Sequence, residues 1–386
     1  MRILLVHNFL KMRGGSDRCF LSLQTLLEKK GHVVFCFTAE KELGLIDFKL
    51  TNAFSYLYNR RAAQKILEVI KNFKPDLAHC HNIYGHLTPS ILPVLKKQGV
   101  PVVMTLHDSK LICPNHHLFT QHALCERCQG KHFYHAFANC CFKDSFPRSF
   151  LGMTEAYLHK ALQLYEKNVG LFISPSHFLK RKFVASGWSA DRIQVLSNFV
   201  DVPKACSTGE APKGIIYFGG LNEVKGVPLL LQALRLISEP IDVSIFGEGP
   251  DGQACQRFAS STPHRVRLGP FQHSPELYQR IQSALFTVVP SACYENQPLS
   301  ILESYALSRA ALGANHGGIP EVIEEGKTGF LFKAGDAKHL AEKICDMLKD
   351  PRKTLEMGKR GQEKFKMEFA PDTHYDQLIS IYQKML

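Results

Sequence analysis

The chain has 386 residues, of which 45% are hydrophobic and 21% are charged, and its formal net charge is +12. This length predicts two domains, each large enough for its own core, and no apolar run approaches the ~20 residues that a membrane-spanning helix needs. The first apolar run, Ile3–Val6, stops at His7. It therefore favours a buried strand over a secretion signal, and we expect a cytoplasmic protein.

The positive charge belongs to the first half of the chain. Residues 1–200 contain 26 lysines and arginines against 13 aspartates and glutamates, whereas residues 201–386 contain 21 against 22. A basic domain of this kind is typical of proteins that bind nucleic acid, an anionic membrane surface or a lipid phosphate. Since no recognised nucleic-acid module is present, we expect no nucleic acid and a peripheral position at the inner face of a membrane.

Strand-like apolar runs alternate with helical patterns, and the series starts again after residue 213. This alternation predicts an α/β protein made of two doubly wound, Rossmann-like domains with parallel sheets. Ligands of such sheets bind outside the carboxyl ends of the strands. Two such domains that face each other form a cleft, and we expect the binding residues at those strand ends. The predicted strands are Ile3–Val6, Val33–Phe37, Leu77–Cys80, Val102–Leu106, Phe172–Ser174, Gly214–Phe218, Val243–Phe246, Arg265–Leu268, Leu285–Val289 and Ala311–Ala314.

Breaks in regular structure mark the domain boundary. Pro203 and the Ser-Thr-Gly run at 207–209 interrupt the pattern. We therefore expect a first domain at 1–200, a second domain at 201–368, and a closing helix within 369–386.

The most informative stretch follows the apolar run 284–290. It carries Glu295 in a loop, then Asn296, a good N-cap, then Pro298, which suits a first helical turn, and then Glu303. The free N–H groups and the dipole of such a helix attract a phosphate, and a carboxylate further along can accept hydrogen bonds from two sugar hydroxyls. The stretch predicts a sugar-phosphate site; the alternative is a surface helix with two solvated glutamates.

Two glutamates eight positions apart, after Pro290-Ser291 and before Gly317-Gly-x-x-Glu321, resemble the signature of family 4 glycosyltransferases. The resemblance covers nearly the whole chain and is more specific in its second half. It implies a GT-B fold in which the first domain is on the acceptor side and the second binds the nucleotide sugar. The last helix would cross back to the first domain. It also implies a retaining hexosyltransferase that moves a sugar from a UDP- or GDP-type donor to a glycan or lipid-linked acceptor, in bacterial surface polysaccharide synthesis. The chain has no Asp-x-Asp sequence, so we expect catalysis without a metal or other cofactor.

The resemblance assigns roles to residues of the second half. It implies that Glu295 contacts the transferring sugar, that Glu303 holds the ribose hydroxyls, and that Lys225 neutralises the diphosphate. The family usually has an arginine where Gly220 stands, so either another cation replaces it or donor binding differs. Further donor contacts are expected from Gly219, Gly220, Gly247, Pro298, Leu299 and Ser300, with Gly269–Gln272 beside the base.

In the first half, the resemblance concerns a glycine loop and two strand ends. Gly14 and Gly15 open a helix and would lie over the diphosphate and the acceptor. His107, in Thr105-Leu-His-Asp108, would contact the donor sugar. His81 and Asp108 are candidates for the acceptor side.

Residues 109–149 form an insertion-like stretch rich in cysteine. Cys113, Cys125, Cys128 and Cys141 have spacing compatible with a structural zinc site, and similar cysteine patterns occur in a subset of bacterial family 4 enzymes. Reduced thiols in a loop are the alternative, and four thiolates would leave no open position for catalysis. The aromatic and basic residues that follow form a surface for a lipid-linked acceptor or a membrane, or pack on a helix at 151–167; they are Phe142, Lys143, Phe146, Arg148 and Phe150.

Two other functions remain open at this point. One is another GT-B chemistry, a sugar-nucleotide epimerase or a phosphorylase. The other is a non-catalytic protein that keeps the nucleotide cleft as a binding or scaffold module. Gly220 favours the scaffold, whereas the intact pair Glu295 and Glu303 favours catalysis.

Overall fold

The computed structural model describes residues 1–9, 14–39, 43, 53–142, 144–202, 211–270 and 275–386. The chain divides into two compact units. The first contains Met1–Gln121, Cys125–Asn198 and His374–Leu386, and the second contains His122–Leu124 and Phe199–Thr373. Several residues named in the predictions lie outside the described residues: Lys143, Pro203, the run at 207–209, and residues 271 and 272 beside the expected base site.

The first unit contains a six-stranded parallel sheet in the order β2-β1-β3-β4-β7-β8. Strands β3 and β4 are buried along their whole length, as is usual for parallel strands covered on both faces. Two short strands, β5 and β6, come between β4 and β7 in the sequence. The strands are β1 (Arg2–His7), β2 (Val33–Thr38), β3 (Leu77–Cys80), β4 (Val102–Thr105), β5 (Phe119–Thr120), β6 (Ala123–Leu124), β7 (Leu171–Ser174) and β8 (Ile193–Val195).

Helices connect these strands. A side-chain cap marks the start of α3, where Asn59 Oδ1 accepts a hydrogen bond from the Ala62 N–H at 3.0 Å. The helices are α1 (Gly15–Lys29), α2 (Ala53–Leu57), α3 (Arg60–Phe73), α4 (Ile91–Lys97), α5 (Tyr134–Ala138), α6 (Phe146–Ala161), α7 (Leu164–Asn168) and α8 (His177–Ala185).

The second unit repeats the architecture, with a six-stranded parallel sheet in the order β11-β10-β9-β12-β13-β14. Counted within the unit, this is the strand order of dinucleotide-binding folds. The strands are β9 (Ile215–Phe218), β10 (Asp242–Phe246), β11 (Arg265–Gly269), β12 (Phe286–Val289), β13 (Ala310–Ala314) and β14 (Gly329–Phe332). The helices are α9 (Val227–Arg235), α10 (Gly252–Ser261), α11 (Pro275–Ser283), α12 (Leu299–Ala306), α13 (Ile319–Val322), α14 (Ala337–Lys349) and α15 (Pro351–Lys364).

The last helix, α16 (Pro371–Met385), returns the chain to the first unit. Its residues Leu378, Ile381 and Tyr382 are fully buried in one apolar cluster with Ile3 and Leu5 of β1. Burial of such side chains contributes about 1.5–3 kcal/mol each. The predicted return of the closing helix is therefore confirmed.

The prediction of two doubly wound α/β units is confirmed, and each predicted strand is present. Strands β5, β6, β8 and β14 were not predicted. Strand β14 begins with Gly329, where a Cβ would lie 1.9 Å from the Ala311 carbonyl oxygen, so a residue that usually weakens strands is required by the neighbouring strand. The helix expected at 151–167 is wrong in its bounds: it is divided between α6 and α7, because Gln163 adopts a left-handed φ of 52°.

Candidate functional site

In the second unit, the loops that follow the neighbouring strands β9 and β12 lie against each other. The N–H groups of Ala292 and Cys293 donate to the Val224 carbonyl at 3.0 and 3.2 Å. A Cβ at Gly226, whose φ is +77°, would lie 1.9 Å from the Pro290 carbonyl oxygen. Only glycine allows this approach. Since β9 and β12 flank the point where the strand order reverses, the two loops meet where ligands of such sheets bind.

Lys225 and Glu295 come together at this meeting point. Lys225 Nζ lies 2.6 Å from Glu295 Oε1, and Ser291 Oγ donates to the same oxygen at 2.9 Å. The Lys225 side chain is 42% exposed and that of Glu295 is 14% exposed. Burial acts to lower the pKa of Lys225, but the Glu295 carboxylate outweighs it and the pKa lies above its ordinary value. The site therefore holds a charged ammonium group beside a carboxylate.

Lys225 ends a 3-10 turn, Glu223–Lys225, that precedes α9. Lys225 therefore lies just before the helix and not in its first turn. Asn222 Oδ1 accepts a hydrogen bond from the Lys225 N–H at 3.0 Å and fixes the turn.

The turn at Gly317-Gly318 packs against the backbone of the Glu295 loop. A Cβ at Gly317 would lie 2.7 Å from the Glu295 carbonyl oxygen, and one at Gly318 would lie 1.8 Å from that of Asn296. The Gly318 N–H also donates to the Glu295 carbonyl at 2.6 Å. These glycines thus position Glu295, a role that their place before a helix does not reveal in the sequence. His316 adds a contact from its Nε2 to the Ser291 carbonyl at 2.8 Å.

The prediction that Asn296 caps the following helix is wrong. Helix α12 begins at Leu299, and Pro298 occupies the cap position with φ −70° and ψ 120°. The proline ring fixes the φ angle at this position. The Asn296 carbonyl packs on Gly318 instead. Glu303 lies on α12 and is 1% exposed. Of the other predicted donor contacts in this segment, Pro298 is buried, and Leu299 and Ser300 are half-buried.

The remaining glycines of the second unit bring the loops after β9 and β10 together. Gly219 N–H donates to the Phe246 carbonyl at 3.0 Å, and a Cβ at Gly247 would lie 2.0 Å from the Gly219 carbonyl oxygen. Gly220 differs, because its φ is not positive. A Cβ there would lie 3.0 Å from Asn222 Nδ2, the end of a side chain that can move. The fold therefore permits a side chain at position 220.

In the first unit, histidines lie at the carboxyl ends of β1, β3 and β4. His81 Nδ1 lies 2.7 Å from His107 Nε2, so two predicted site residues form a pair. His79 contacts the hydroxyls of Tyr382 and Thr105 at 2.6 and 2.7 Å. Burial lowers the pKa of His79 and of His107 to about 3, and that of His81 well below its ordinary value. The imidazoles are neutral at pH 7, so one ring of the His81–His107 pair donates while the other accepts.

The sequence predictions did not include His7 and Asp17. His7 ends β1, and its Nε2 donates to Asp17 Oδ1 at 2.7 Å, with both side chains buried. The available signal was a strand-end histidine followed by a carboxylate in the first turn of the next helix. Without the strand order, that signal cannot be told from a solvated aspartate near a helix start.

The other first-unit candidates have distinct environments. Gly14 precedes α1 with an extended φ of −165°, and a Cβ there would meet nothing within 4 Å, so packing does not require glycine at this position. Gly15 is the first residue of α1. Burial raises the pKa of Asp108, although its Oδ1 accepts a hydrogen bond from the Lys110 N–H at 2.9 Å.

A pocket in the first unit contains a buried ion pair. Lys110 Nζ lies 2.8 Å from Glu155 Oε2, with side chains 8% and 2% exposed. Burial acts to lower the pKa of Lys110, but Glu155 raises it above its ordinary value. The hydroxyls of Tyr84 and Tyr165 also line this pocket, and neither has a hydrogen-bond partner among the residues that the structure describes.

The predicted zinc ligands lie in the segment that follows β4. Cys113 Sγ donates to Asn115 Oδ1 at 3.0 Å. Burial raises the pKa of Cys113 to about 11 and also raises those of Cys128 and Cys141. Zinc binds thiolates, and within the described ranges no group of three or more His, Cys, Asp or Glu side chains is placed to hold a metal ion. The arrangement gives the zinc hypothesis no support, and it stays a prediction that metal analysis can decide.

Comparison with known proteins identifies the family of this chain. Residues 13–204 match the model for Glycosyltransferase Family 4, and residues 212–350 match the model for Glycosyl transferases group 1. The chain belongs to the family 4, group 1 glycosyltransferases. No helix in the described part of this family member is both long and apolar enough to cross a membrane.

Among its relatives is the N-acetyl-alpha-D-glucosaminyl L-malate synthase of Bacillus anthracis, which is 28% identical over 210 residues, or 50% of this chain and 54% of that protein. Another is the amylovoran biosynthesis glycosyltransferase AmsK of Erwinia amylovora, 24% identical over 56% of each chain. The matched regions of this chain thus span about half the length of each of these relatives.

A solved structure, HepE of Anabaena in complex with UDP-glucose, is similar over 100% of both chains, with a TM-score of 0.70 and 18% identity. At this identity the likeness concerns the fold. Together with the two parallel sheets it confirms the predicted GT-B fold.

Proposed function

We propose that the protein is a retaining hexosyltransferase that moves a sugar from a nucleoside-diphosphate sugar, of the UDP or GDP type, to a glycan or lipid-linked acceptor. The observation that carries this proposal is the contact of Lys225 with Glu295 at the point where the strand order reverses. It places one cation, one carboxylate and the start of α12 at the loops where a sugar diphosphate binds in folds of this type.

The Lys225–Glu295 contact suggests how the donor binds. An ion pair with one side chain 42% exposed contributes about 0–1 kcal/mol. A diphosphate can therefore replace Glu295 as the partner of Lys225 at a small cost in free energy, because its negative charge is greater than that of the carboxylate. Glu295, released from Lys225, then accepts hydrogen bonds from hydroxyls of the transferring sugar. Donor binding and correct placement of Glu295 are thus coupled.

Leaving-group stabilisation would come from fixed charges and dipoles. Lys225 and the N-terminus of α12 stabilise the departing diphosphate, which is the usual form of electrostatic catalysis. No step in this scheme needs a metal ion. Glu303, buried on the same helix, accepts hydrogen bonds from the ribose.

His107 takes a role that suits a neutral imidazole. Burial lowers its pKa to about 3, so the ring is neutral at pH 7 before the donor binds, and a neutral ring can bond to a sugar hydroxyl. His81 orients it, since the His81–His107 hydrogen bond holds the ring and selects the tautomer. Asp108 and the glycine loop at Gly14-Gly15 belong to the acceptor and diphosphate sides of this scheme.

The relatives support the coarser parts of the proposal. AmsK is named for amylovoran biosynthesis, and HepE is described with UDP-glucose. We therefore place the reaction in bacterial surface glycan synthesis, with UDP-glucose as the first donor to test. An anionic membrane surface is the partner that the basic first half favours.

The decisive experiment is calorimetric titration with UDP, GDP, ADP and UDP-glucose in the presence of a chelator. We expect one nucleotide to bind at least tenfold tighter than the others, about 1.4 kcal/mol, and we expect Lys225→Ala and Glu303→Ala to bind that nucleotide at least tenfold more weakly than the wild type does. Lys327→Ala and Glu276→Ala, at exposed positions of the same unit, are the matched controls.

Three other outcomes separate the alternatives. Absence of nucleotide binding would favour the scaffold function that Gly220 permits. Binding followed by conversion of the sugar nucleotide without an acceptor would favour the epimerase, and conversion that needs only phosphate would favour the phosphorylase.

A further inference from the structure

The surface of α5 and α6 carries a group of exposed aromatic side chains that the proposed transfer reaction does not use. We define the aromatic patch as Tyr134, Phe137, Phe146, Phe150 and Tyr157. Phe146 and Phe150 are 62% and 54% exposed, and Tyr134 is 50% exposed. Phe146, Phe150 and Tyr157 recur at helical spacing on one face of α6.

The rings of the patch hold one another in place. The Phe137 ring centroid lies 5.9 Å from that of Phe146 and 5.7 Å from that of Phe150, at interplanar angles of 70° and 75°. Such edge-to-face pairs are favourable geometries. The Tyr134 N–H donates to the Tyr157 hydroxyl at 3.3 Å and joins the two helices at another point. The patch is therefore a defined surface and not a set of separate exposed side chains.

A small core beneath the patch holds these helices together without the exposed rings. Cys128, Phe133 and Ala136 are buried there, and Met153 packs against them. This core packs α5 against α6 in addition to the contacts between the rings. Contiguous exposed apolar surface of this kind marks an interaction site.

Basic side chains are frequent in the segment that carries the patch. Arg127 donates to Asn139 Oδ1 at 2.7 Å, at the end of α5, and Lys131 and Arg148 are exposed nearby in the chain. Glu126 is already paired with Lys182 at 2.6 Å. Residues 127–150 contain four lysines and arginines but a single acidic residue, Asp144. The segment that carries the apolar surface thus has a net positive charge.

We propose that the aromatic patch attaches the first unit to the surface of an anionic bilayer. The rings enter the interface between headgroups and acyl chains, while Arg127, Lys131 and Arg148 contact lipid phosphates. This inference rests on the proposed function, in which an acceptor is membrane-linked, and it identifies the surface that makes the contact. A second copy of the chain fits less well, because a symmetric contact between two patches would bring two positively charged segments together.

The test is co-sedimentation of the full chain with phosphatidylcholine vesicles, with and without about one-third phosphatidylglycerol. We expect the wild type to bind the anionic vesicles at least tenfold more tightly than the neutral ones, with binding that weakens as salt is raised. F146S/F150S should lose at least tenfold on anionic vesicles. K131E/R148E should lose the preference for anionic lipid. L236S/M367S, which changes exposed apolar residues of the second unit, should bind as the wild type does.

Three results would overturn the proposal: no binding of the wild type, equal binding by F146S/F150S, or a concentration-dependent dimer that this double variant abolishes without any effect on vesicles. Thermal unfolding of each variant shows whether the fold is intact, and Phe137→Ser provides a second variant if F146S/F150S does not fold. Titration with the nucleotide that the wild type binds gives an independent readout. A variant that loses vesicle binding but keeps nucleotide binding therefore tests the patch proposal alone. Loss of nucleotide binding instead bears on the proposed transfer reaction.

Discussion

In the second unit, polar groups at the strand ends are brought together by backbone contacts that require glycine, and the pair at their centre, Lys225 and Glu295, is charged and partly exposed. In the first unit, the strand ends carry buried imidazoles that are neutral and bonded to each other or to hydroxyls. The sheets are similar, but the second unit keeps its charge where water still reaches it, whereas His79, His81 and His107 of the first unit are neutral.

This difference follows from the cost of burying charge. An ion loses several kcal/mol of hydration when it is buried, so a buried histidine gives up its proton instead. A partly hydrated lysine can exchange its partner for a diphosphate, whereas a buried neutral histidine is suited to a hydroxyl. The predictions below test whether the two strand-end regions differ in this way.

The largest effect is expected from the glycines that join the loops. Gly226→Ala places a Cβ 1.9 Å from a backbone oxygen at a left-handed φ, and we expect the second unit to lose at least about 3 kcal/mol of stability. Gly14→Ala, where a Cβ meets nothing, should stay within about 1 kcal/mol of the wild type. Urea unfolding followed by circular dichroism measures both. Equal stability of the two variants would contradict the role given to Gly226.

A second contrast sets the buried ion pair of the first unit against the exposed pair of the second. Lys110→Met or Glu155→Leu leaves a buried charge alone and should cost about 3–5 kcal/mol. Lys225→Ala should cost about 1 kcal/mol or less. Trp188, the single tryptophan of the chain, lies in the first unit, so its fluorescence during urea unfolding reports on that unit.

The double variant Lys110→Met/Glu155→Leu is the control for this contrast. It removes both charges, so we expect it to recover more than half of the stability that either single variant loses. A double variant as unstable as the single ones would mean that packing, and not charge, is responsible.

Acid should destabilise the first unit through its histidines. Folding lowers the pKa of His79 and His107 from 6.5 to about 3. Between these values the unfolded chain binds more protons than the folded one, so stability rises with pH and is lost as pH falls from 6.5 towards 3. Each histidine contributes about 1.4 kcal/mol per pH unit. We expect the urea midpoint from Trp188 fluorescence to fall between pH 7 and 5.5, less steeply in His79→Gln and unchanged in slope in the exposed control His132→Gln.

The smallest effect concerns the missing arginine. The backbone at Gly220 allows a side chain, so Gly220→Arg should restore a second cation and tighten nucleotide binding up to tenfold, about 1.4 kcal/mol. Gly220→Gln adds similar bulk without charge and should give no gain. Calorimetry decides, and equal affinities for the two variants would show that position 220 does not face the diphosphate.

Much of the fold could be predicted because its signals are local. Apolar runs such as Leu77–Cys80 are strands in the structure, and the spacing of Leu378, Ile381 and neighbouring residues predicts the final helix. The start of α12 could not be predicted with the same accuracy. Asn296 and Pro298 both favour a helix start, and the choice depended on the packing of the Asn296 carbonyl against Gly318.

The sequence by itself determined the α/β class, the family signature around Glu295 and Glu303, and the presence of polar groups at strand ends. Only the tertiary structure decided which of these groups meet. Lys225 and Glu295 are 70 positions apart, and His81 and His107 are 26 apart. Periodicity reports the conformation of neighbouring residues, whereas these contacts depend on strand order and on glycines that let distant loops touch. For the same reason, the pair His7–Asp17 and the burial of Glu303 became apparent only in the folded chain.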